Sequence, residues 1–415
     1  MRRRRLSRAS LKRAKHQPAS ETLTKSARPA AGAPTNQFPK YLTPGVYVEE
    51  VASGLRPIEA VPTSVTAFVG EAKYGTVGDA KLIHGWADYE AAFGPLESGD
   101  DAMGMAVANY YRNGGKDAYV CRLADNATVV DYQGFFDLTL SRIHDISIIV
   151  LPGVAADGDG HPKIAEAVAH CEATRNRMLI ADPPAGTGLP GSTDVDALSL
   201  TVSSYAVCYY PWIEVAGPEQ NGANILVPPS AFAAGIWART DGRRAVWKAP
   251  AGMQAGLFGV SGLEYVVGDS EQDQFNTMGL NCIRHTPGAG EVIWGSRTLA
   301  TIAEPEWRYV PVRRTAIMIE QSINKGIQWA VFEPNDHRLW SALRANIESF
   351  MNGLFRAGAF QGEKASDAYF VRCSLGDTMT QGDINAGQVI VQVGFAPLKP
   401  AEFVILRIQL KVGQG

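Results

Sequence analysis

Few residues in this 415-residue chain have the types and spacing that chemistry requires. Asp157-Gly158-Asp159-Gly160-His161 looks like the start of a calcium loop. It lacks the third acidic ligand and the closing Glu, so a turn is the expected role. His161 and His170 are nine apart on one predicted helix, about 180° out of phase, and cannot share a metal. His285 and His337 read as capping or surface groups. No G-x-S-x-G, G-x-x-x-x-G-K-[ST] or H-E-x-x-H occurs, and no G-x-G-x-x-G is expected between a strand and a helix, so neither a nucleophile elbow, a phosphate cradle nor a zinc-protease helix is signalled. Cys121, Cys171, Cys208, Cys282 and Cys373 are far apart with no C-x-x-C pair. They read as reduced, buried thiols in a reducing compartment. Arg313-Arg314 suits an anion, either a phosphate or the acidic surface of a partner subunit. The expectation is a protein with no catalytic residue, no metal and no cofactor.

The length suggests two or three domains. Hydrophobic content of 46% supports globular cores. No uncharged apolar run of about 18 residues appears, so no membrane-spanning helix is expected. The net charge of −3 hides an asymmetry: residues 1–38 carry ten Lys or Arg against Glu21 alone, a net +9, which leaves −12 for the rest. This segment is poor in aromatic residues and is expected to be disordered when free. It is either an electrostatic tether to nucleic acid, anionic lipid or an acidic protein, or a solvated tail.

The elements that would have to position any site follow from periodicity. Strands are expected over Ser64–Gly70, Ala118–Leu123, Ile146–Leu151, Met178–Ala181 and Ala206–Tyr210. Helices are expected over Trp86–Phe93, Asp101–Asn113, Pro162–Thr174, Val195–Ser203 and from Pro228-Pro229-Ser230 to Thr240. The stretch 124–142 shows no clear pattern. Such alternation predicts a largely parallel α/β sheet covered by helices. Gln272–Asn281 and Ile283–Ala300, with a Gly-bracketed strand over Gly288–Leu299, read as the join to a C-terminal module. There, helices are expected over Val312–Lys325 and Asp336–Arg356, and strands over Phe370–Cys373 and Ile384–Val393, giving an α+β unit. Leu339, Leu343, Ile347, Phe350, Met351 and Leu354 form the apolar stripe of the longer helix.

Both ends of the folded region carry an isolated strand. After the Pro44-Gly45 turn, Val46-Tyr47-Val48-Glu49-Glu50-Val51 alternates, and Ser53-Gly54 breaks it. In Phe403–Leu410, Val404, Leu406, Ile408 and Leu410 make one wholly apolar face, and Phe403, Ile405, Arg407 and Gln409 the other. Such a strand either closes its own sheet or is donated to a neighbour. On the residues alone the first reading is favoured, because most terminal strands serve their own domain.

Tyr41-Leu42-Thr43-Pro44-Gly45-Val46-Tyr47-Val48-Glu49-Glu50 resembles the opening motif of tail sheath proteins of contractile phages and phage-like injection systems. Arg56-Pro57-Ile58 and Thr63–Gly70 resemble its continuation. Asn113-Gly114-Gly115-Lys116-Asp117-Ala118-Tyr119-Val120 is similar to the family's "NGG…AYVVR" pattern. Val227-Pro228-Pro229-Ser230, Ala238-Arg239-Thr240-Asp241 and Val246–Gly252 also match, as do Trp294–Leu299 and Trp307–Arg314, so the likeness runs in order from about residue 41 to the end.

The resemblance implies a sheath subunit that polymerises helically around an inner tube and contracts to drive it through a target envelope. It implies a layout of basic extension (1–38), linker strand (39–60), outer α/β domain, subtilisin-like by fold (61–290), inner α+β domain (291–400) and linker strand (401–415). It reverses the expectation for the final strand: Val46, Tyr47, Val48, Glu49 and Val51, and Phe403, Val404, Ile405, Leu406, Ile408 and Leu410, would knit neighbouring subunits. The implied partners are further copies in stacked, hexameric rings, an inner tube protein, and baseplate and terminal cap proteins, with no small-molecule substrate. Candidate tube contacts, from helix placement, are Arg313, Arg314, Glu320, Lys325, Arg338, Arg344 and Glu348. Assembly would occur in a bacterial cytoplasm, in a phage virion or in a released particle. The alternatives are a hydrolase on the α/β domain or a nucleic-acid-binding protein acting through the Arg-rich extension. Residues 1–38 depart from the family core.

Overall fold

The computed structural model describes residues 57–185, 200–219, 222–300 and 302–402, all within one compact unit that begins at Gly54. The expected linker strands Val46–Val51 and Phe403–Leu410 lie outside the described residues.

Chain order begins β1 (Thr66–Glu71), β2 (Ala80–Ile83), α1 (Trp86–Phe93), α2 (Ala102–Arg112), β3 (Ala118–Leu123) and α3 (Val129–Leu138). It continues β4 (Ile148–Ala155), α4 (Gly160–Thr174), β5 (Met178–Asp182), β6 (Ala206–Tyr210), β7 (Ile213–Ala216) and β8 (Asn224–Val227). Then come α5 (Ser230–Arg243), β9 (Gly262–Leu263), α6 (Asp269–Met278), β10 (Leu280–Thr286) and β11 (Gly290–Ile293). The C-terminal part holds α7 (Val310–Gly326), α8 (His337–Arg356), α9 (Ala365–Ala368), β12 (Tyr369–Arg372), α10 (Gln381–Asn385) and β13 (Gln392–Phe395).

Eight strands form one sheet in the order β11-β10-β6-β5-β4-β1-β3-β2. The six inner strands run parallel, and β2 and β11 close the two edges antiparallel. A parallel sheet covered on both faces needs near-continuous apolar strands. Strands β5 and β6 are buried at every position, and β1 and β4 nearly so. Helix α5 is buried from Ser230 to Arg239 and packs on α2. Gly235 permits that approach, since a Cβ there would stand 2.6 Å from the Tyr110 carbonyl oxygen.

A second core joins Met318 and Ile319 of α7 to Ile347, Met351 and Leu354 of α8, with Phe360 and Ala368. The antiparallel pair β12–β13 covers it. Helix α7 also gives Val310 and Ile317 to the sheet core, so it is shared by both cores.

Several expectations are corrected. The unpatterned stretch 124–142 contains α3, opened by a capping box in which Asp131 Oδ2 accepts from the Thr128 backbone N–H at 2.7 Å. The strand expected over Ile384–Val393 starts instead inside α10, because Thr380 and Asp383 cap a helical turn there, and only Gln392–Phe395 pairs as β13. Gln272–Asn281 and Ile283–Ala300 are not a simple join: α6 leads into β10, β10 and β11 extend the main sheet, and the strand within Gly288–Leu299 is limited to β11. Of the helix expected over Val195–Ser203, the described residues 200–203 are not helical. The three-stranded sheet β8-β7-β9 was not anticipated.

Candidate functional site

Helix α7 is where the ends of the described chain converge. It starts after the extended residue Tyr309, with Pro311 in its first turn, where a missing N–H does no harm. Arg313 and Arg314 follow at once, and both are buried. The Arg313 guanidinium lies 3.7 Å from the Trp307 ring centroid and 4.4 Å from that of Tyr205. Its Nη2 donates to Ser204 Oγ at 2.5 Å, and burial pulls its pKa below the usual arginine value. Arg314 lies 4.5 Å from the Trp237 ring and forms a bidentate pair with Asp241 of α5. It also donates to the Thr63 carbonyl at 2.8 Å, and Thr63 Oγ1 donates to Asp241 Oδ2 at 2.6 Å. A planar guanidinium tolerates burial when its fork is bonded and its face stacked.

Arg313 and Arg314, expected as tube contacts, are buried against aromatic rings of their own subunit, and Arg314 also pairs there with Asp241. Arg344 is half-buried and donates to the Cys373 carbonyl and, at 3.2 Å, to Ser341 Oγ. Glu320, Lys325, Arg338 and Glu348 are exposed on α7 and α8.

The incoming chain runs antiparallel along α7. Ile58 packs at Gly326 in the last turn, the Val61 N–H donates to Ser322 Oγ at 3.0 Å, and Thr63 meets Arg314 in the first turn. The outgoing chain is clamped beside the N-terminal end of the same helix. Glu402 accepts from Arg297 Nε at 2.9 Å, Arg297 Nη2 at 2.5 Å and Tyr309 Oη at 3.2 Å. The hydrogen bond to Glu402 is also the main reason the Arg297 pKa is raised. Both clamps were missed in the sequence, since Asp241, Arg297 and Glu402 are lone charges without local pattern.

A hydrolytic centre is disfavoured by burial. Ser230, at the start of α5, donates its Oγ–H to Asp182 Oδ2 at 2.5 Å and its N–H to Oδ1 at 2.9 Å. Ser230 is 1% exposed, so a substrate carbonyl cannot reach it. The pair caps a buried helix, and burial raises the Asp182 carboxyl to about 7, against the lowering effect of Ser230. Asp157 makes the turn expected of it, its carbonyl accepting from the Gly160 N–H at 2.6 Å ahead of α4. Gly186-Thr187-Gly188-Leu189-Pro190-Gly191 has G-x-G-x-x-G spacing but lies outside the described residues. Among the described residues no group of three His, Cys, Asp or Glu could hold a metal ion, and no helix is long and apolar enough to cross a membrane. The five cysteines are free and buried, as their contexts suggested.

Two family models match in tandem, the phage tail sheath protein central domain over residues 125–299 and the phage tail sheath C-terminal domain over 303–411. The chain is similar to the anti-feeding prophage helical sheath in its contracted state, with TM-score 0.74 and 34% identity over 88% of this chain and 98% of that one. The chain belongs to the phage tail sheath family. It is similar also to the sheath of PVC, an extracellular contractile injection system, with TM-score 0.74 and 32% identity over 90% of this chain and 98% of that one. The tail sheath protein of Burkholderia phage BcepMu is 31% identical over 196 residues, 44% of this chain and 40% of that protein. The chain thus spans well under two thirds of that curated relative. As a tail sheath protein it has a mixed α/β fold, and the two family models meet between residues 299 and 303, a few residues before α7. Phe332, between α7 and α8, is 101% exposed and holds φ at 71°.

Proposed function

We propose that this sheath protein is the structural subunit of a contractile particle, polymerising with copies of itself around an inner tube and contracting to drive that tube through a target envelope. The observation that carries this reading is the double clamp at α7. Thr63 of the incoming segment joins the Arg314–Asp241 pair, and Glu402 of the outgoing one is held by Arg297 and Tyr309, so both ends of the described chain are tied down beside α7. Strands anchored this way remain bonded to neighbours while subunits reorient. The sheet-bearing part, subtilisin-like in its layout, faces outward in this reading, and the part from α7 onward lies towards the tube. Hexameric rings, the tube, a baseplate and a terminal cap are the partners proposed. The near full-length likeness to sheaths of injection systems favours a released particle over a virion tail.

The energy of contraction is stored in subunit packing, so the reading requires no nucleotide. Tube contacts must break on contraction, which favours polar pairs over a broad apolar seam. Glu320, Lys325, Arg338 and Glu348 are the exposed candidates. Negative-stain electron microscopy of the full chain and of a variant ending at residue 401 tests the reading. Hollow tubes or rings from the full chain, lost in the truncation, support it. Monodisperse monomers from the full chain at several salt concentrations, with an inner-tube protein co-expressed, would sink it.

A further inference from the structure

A groove of about 630 Å³ lies where the described chain ends. Trp247, Trp294, Leu398 and Pro400 give it apolar walls, and Glu402 is part of the same lining. Trp294 is 40% exposed there. Ser296, also on the wall, is 4% exposed, yet its buried Oγ has no hydrogen-bond partner. An orphaned buried hydroxyl is costly and points to a polar group that comes to the groove. Lys248, Asp269, Asp273 and Lys399 also line it, and two tryptophans with an unmatched hydroxyl among such polar groups suit a peptide segment, which brings apolar side chains together with backbone donors and acceptors.

We propose that, before assembly, this groove holds the chain's own final segment, Phe403–Leu410. The first argument is connectivity. Glu402, the residue before the segment, is part of the groove wall, and its clamp to Arg297 holds it next to the Ser296–Arg297 step. A tethered segment meets its site at an effective concentration of the order of millimolar. The second argument is composition. Phe403, Val404, Ile405, Leu406, Ile408 and Leu410 form an alternating, largely apolar sequence of the kind that invites edge pairing and aggregation if left bare. A nearby apolar groove shields it until a neighbour's sheet edge competes for it. This inference rests on the donated-strand reading above, and the groove empties as the strand is given away.

The test uses the full-length chain, unassembled, with Phe403 replaced by the photo-crosslinker benzoylphenylalanine. Heavy- and light-isotope protein are mixed, irradiated, and the cross-linked peptides mapped by mass spectrometry. The expected products join position 403 to the groove walls within one isotope class, and their yield is unchanged by about tenfold dilution. Mixed-isotope products, products elsewhere on the chain, or no product at all would overturn the inference. Tube formation by the unsubstituted chain is scored in parallel. Tubes without intrachain products overturn this inference alone, whereas absence of tubes overturns the reading of function.

Discussion

Arg314 and Asp241 meet as a bidentate ion pair, Nη2 to Oδ2 at 2.5 Å and Nη1 to Oδ1 at 3.0 Å, with both side chains nearly sealed from water. The pair fastens α7 to α5, and Thr63 adds the incoming chain to the same node. Removing one partner strands a buried charge. Asp241→Ala is expected to cost about 3–5 kcal/mol, while Asp241→Leu combined with Arg314→Met recovers most of the loss. Urea unfolding of the single and double variants checks this, and an additive double variant would refute the coupling.

The Arg297–Glu402 clamp is expected to matter more for assembly than for folding. Glu402→Gln keeps the shape but removes the charge-assisted bonds, a loss of about 1.5–3 kcal/mol at most. Unfolding should shift by no more than this, while tube yield in negative stain falls sharply. Arg297→Lys should not preserve yield, because an ammonium cannot reproduce the planar fork. Unchanged tube yield in both variants would remove the clamp from the proposed function.

Asp182 gives a pH signature. Its folded pKa, about 7 through burial, lies above the carboxylate value of 3.8, so its protonated form is favoured by folding. Its contribution is fully present below pH 4 and is lost as pH rises through 7. His170 acts oppositely: burial, then Arg177, lower its pKa to about 4, so its contribution is present above 6.5 and is lost as pH falls through 4. Asp182→Asn keeps both contacts with Ser230 and removes the first slope. Its stability relative to the native chain should therefore increase between pH 4 and 7, and a difference independent of pH would contradict the assignment.

Phe332 holds a left-handed backbone while fully exposed, a conformation that favours glycine. Its side chain is fully exposed, so no packing among the described residues repays it. Phe332→Gly is expected to raise the stability of the unassembled subunit by about 1 kcal/mol. If the residue serves an intersubunit or tube contact, the same variant forms fewer tubes. Thermal unfolding and negative stain together separate the two effects, and a destabilised monomer would show that Phe332 supports its own fold.

The α/β alternation was legible because buried parallel strands and helix caps write local signals. Trp86–Phe93, Ala118–Leu123 and Ala206–Tyr210 were read to the residue, and Asp336 was identified at the start of α8, where it caps. The stripe of α8 was legible for the same reason, as period 3.6 survives in any context. The absence of a catalytic motif and the family likeness were also in the sequence. What only the tertiary structure decided were meetings between distant charges. Arg313-Arg314 read as a surface anion site, since adjacent arginines give no sign of the Trp237, Trp307 and Asp241 that enclose them. Glu402 gave no sign of Arg297, 105 residues away. Local periodicity reports which face is buried; it does not report which distant side chain lies opposite, and the clamps of this protein are made of such pairs.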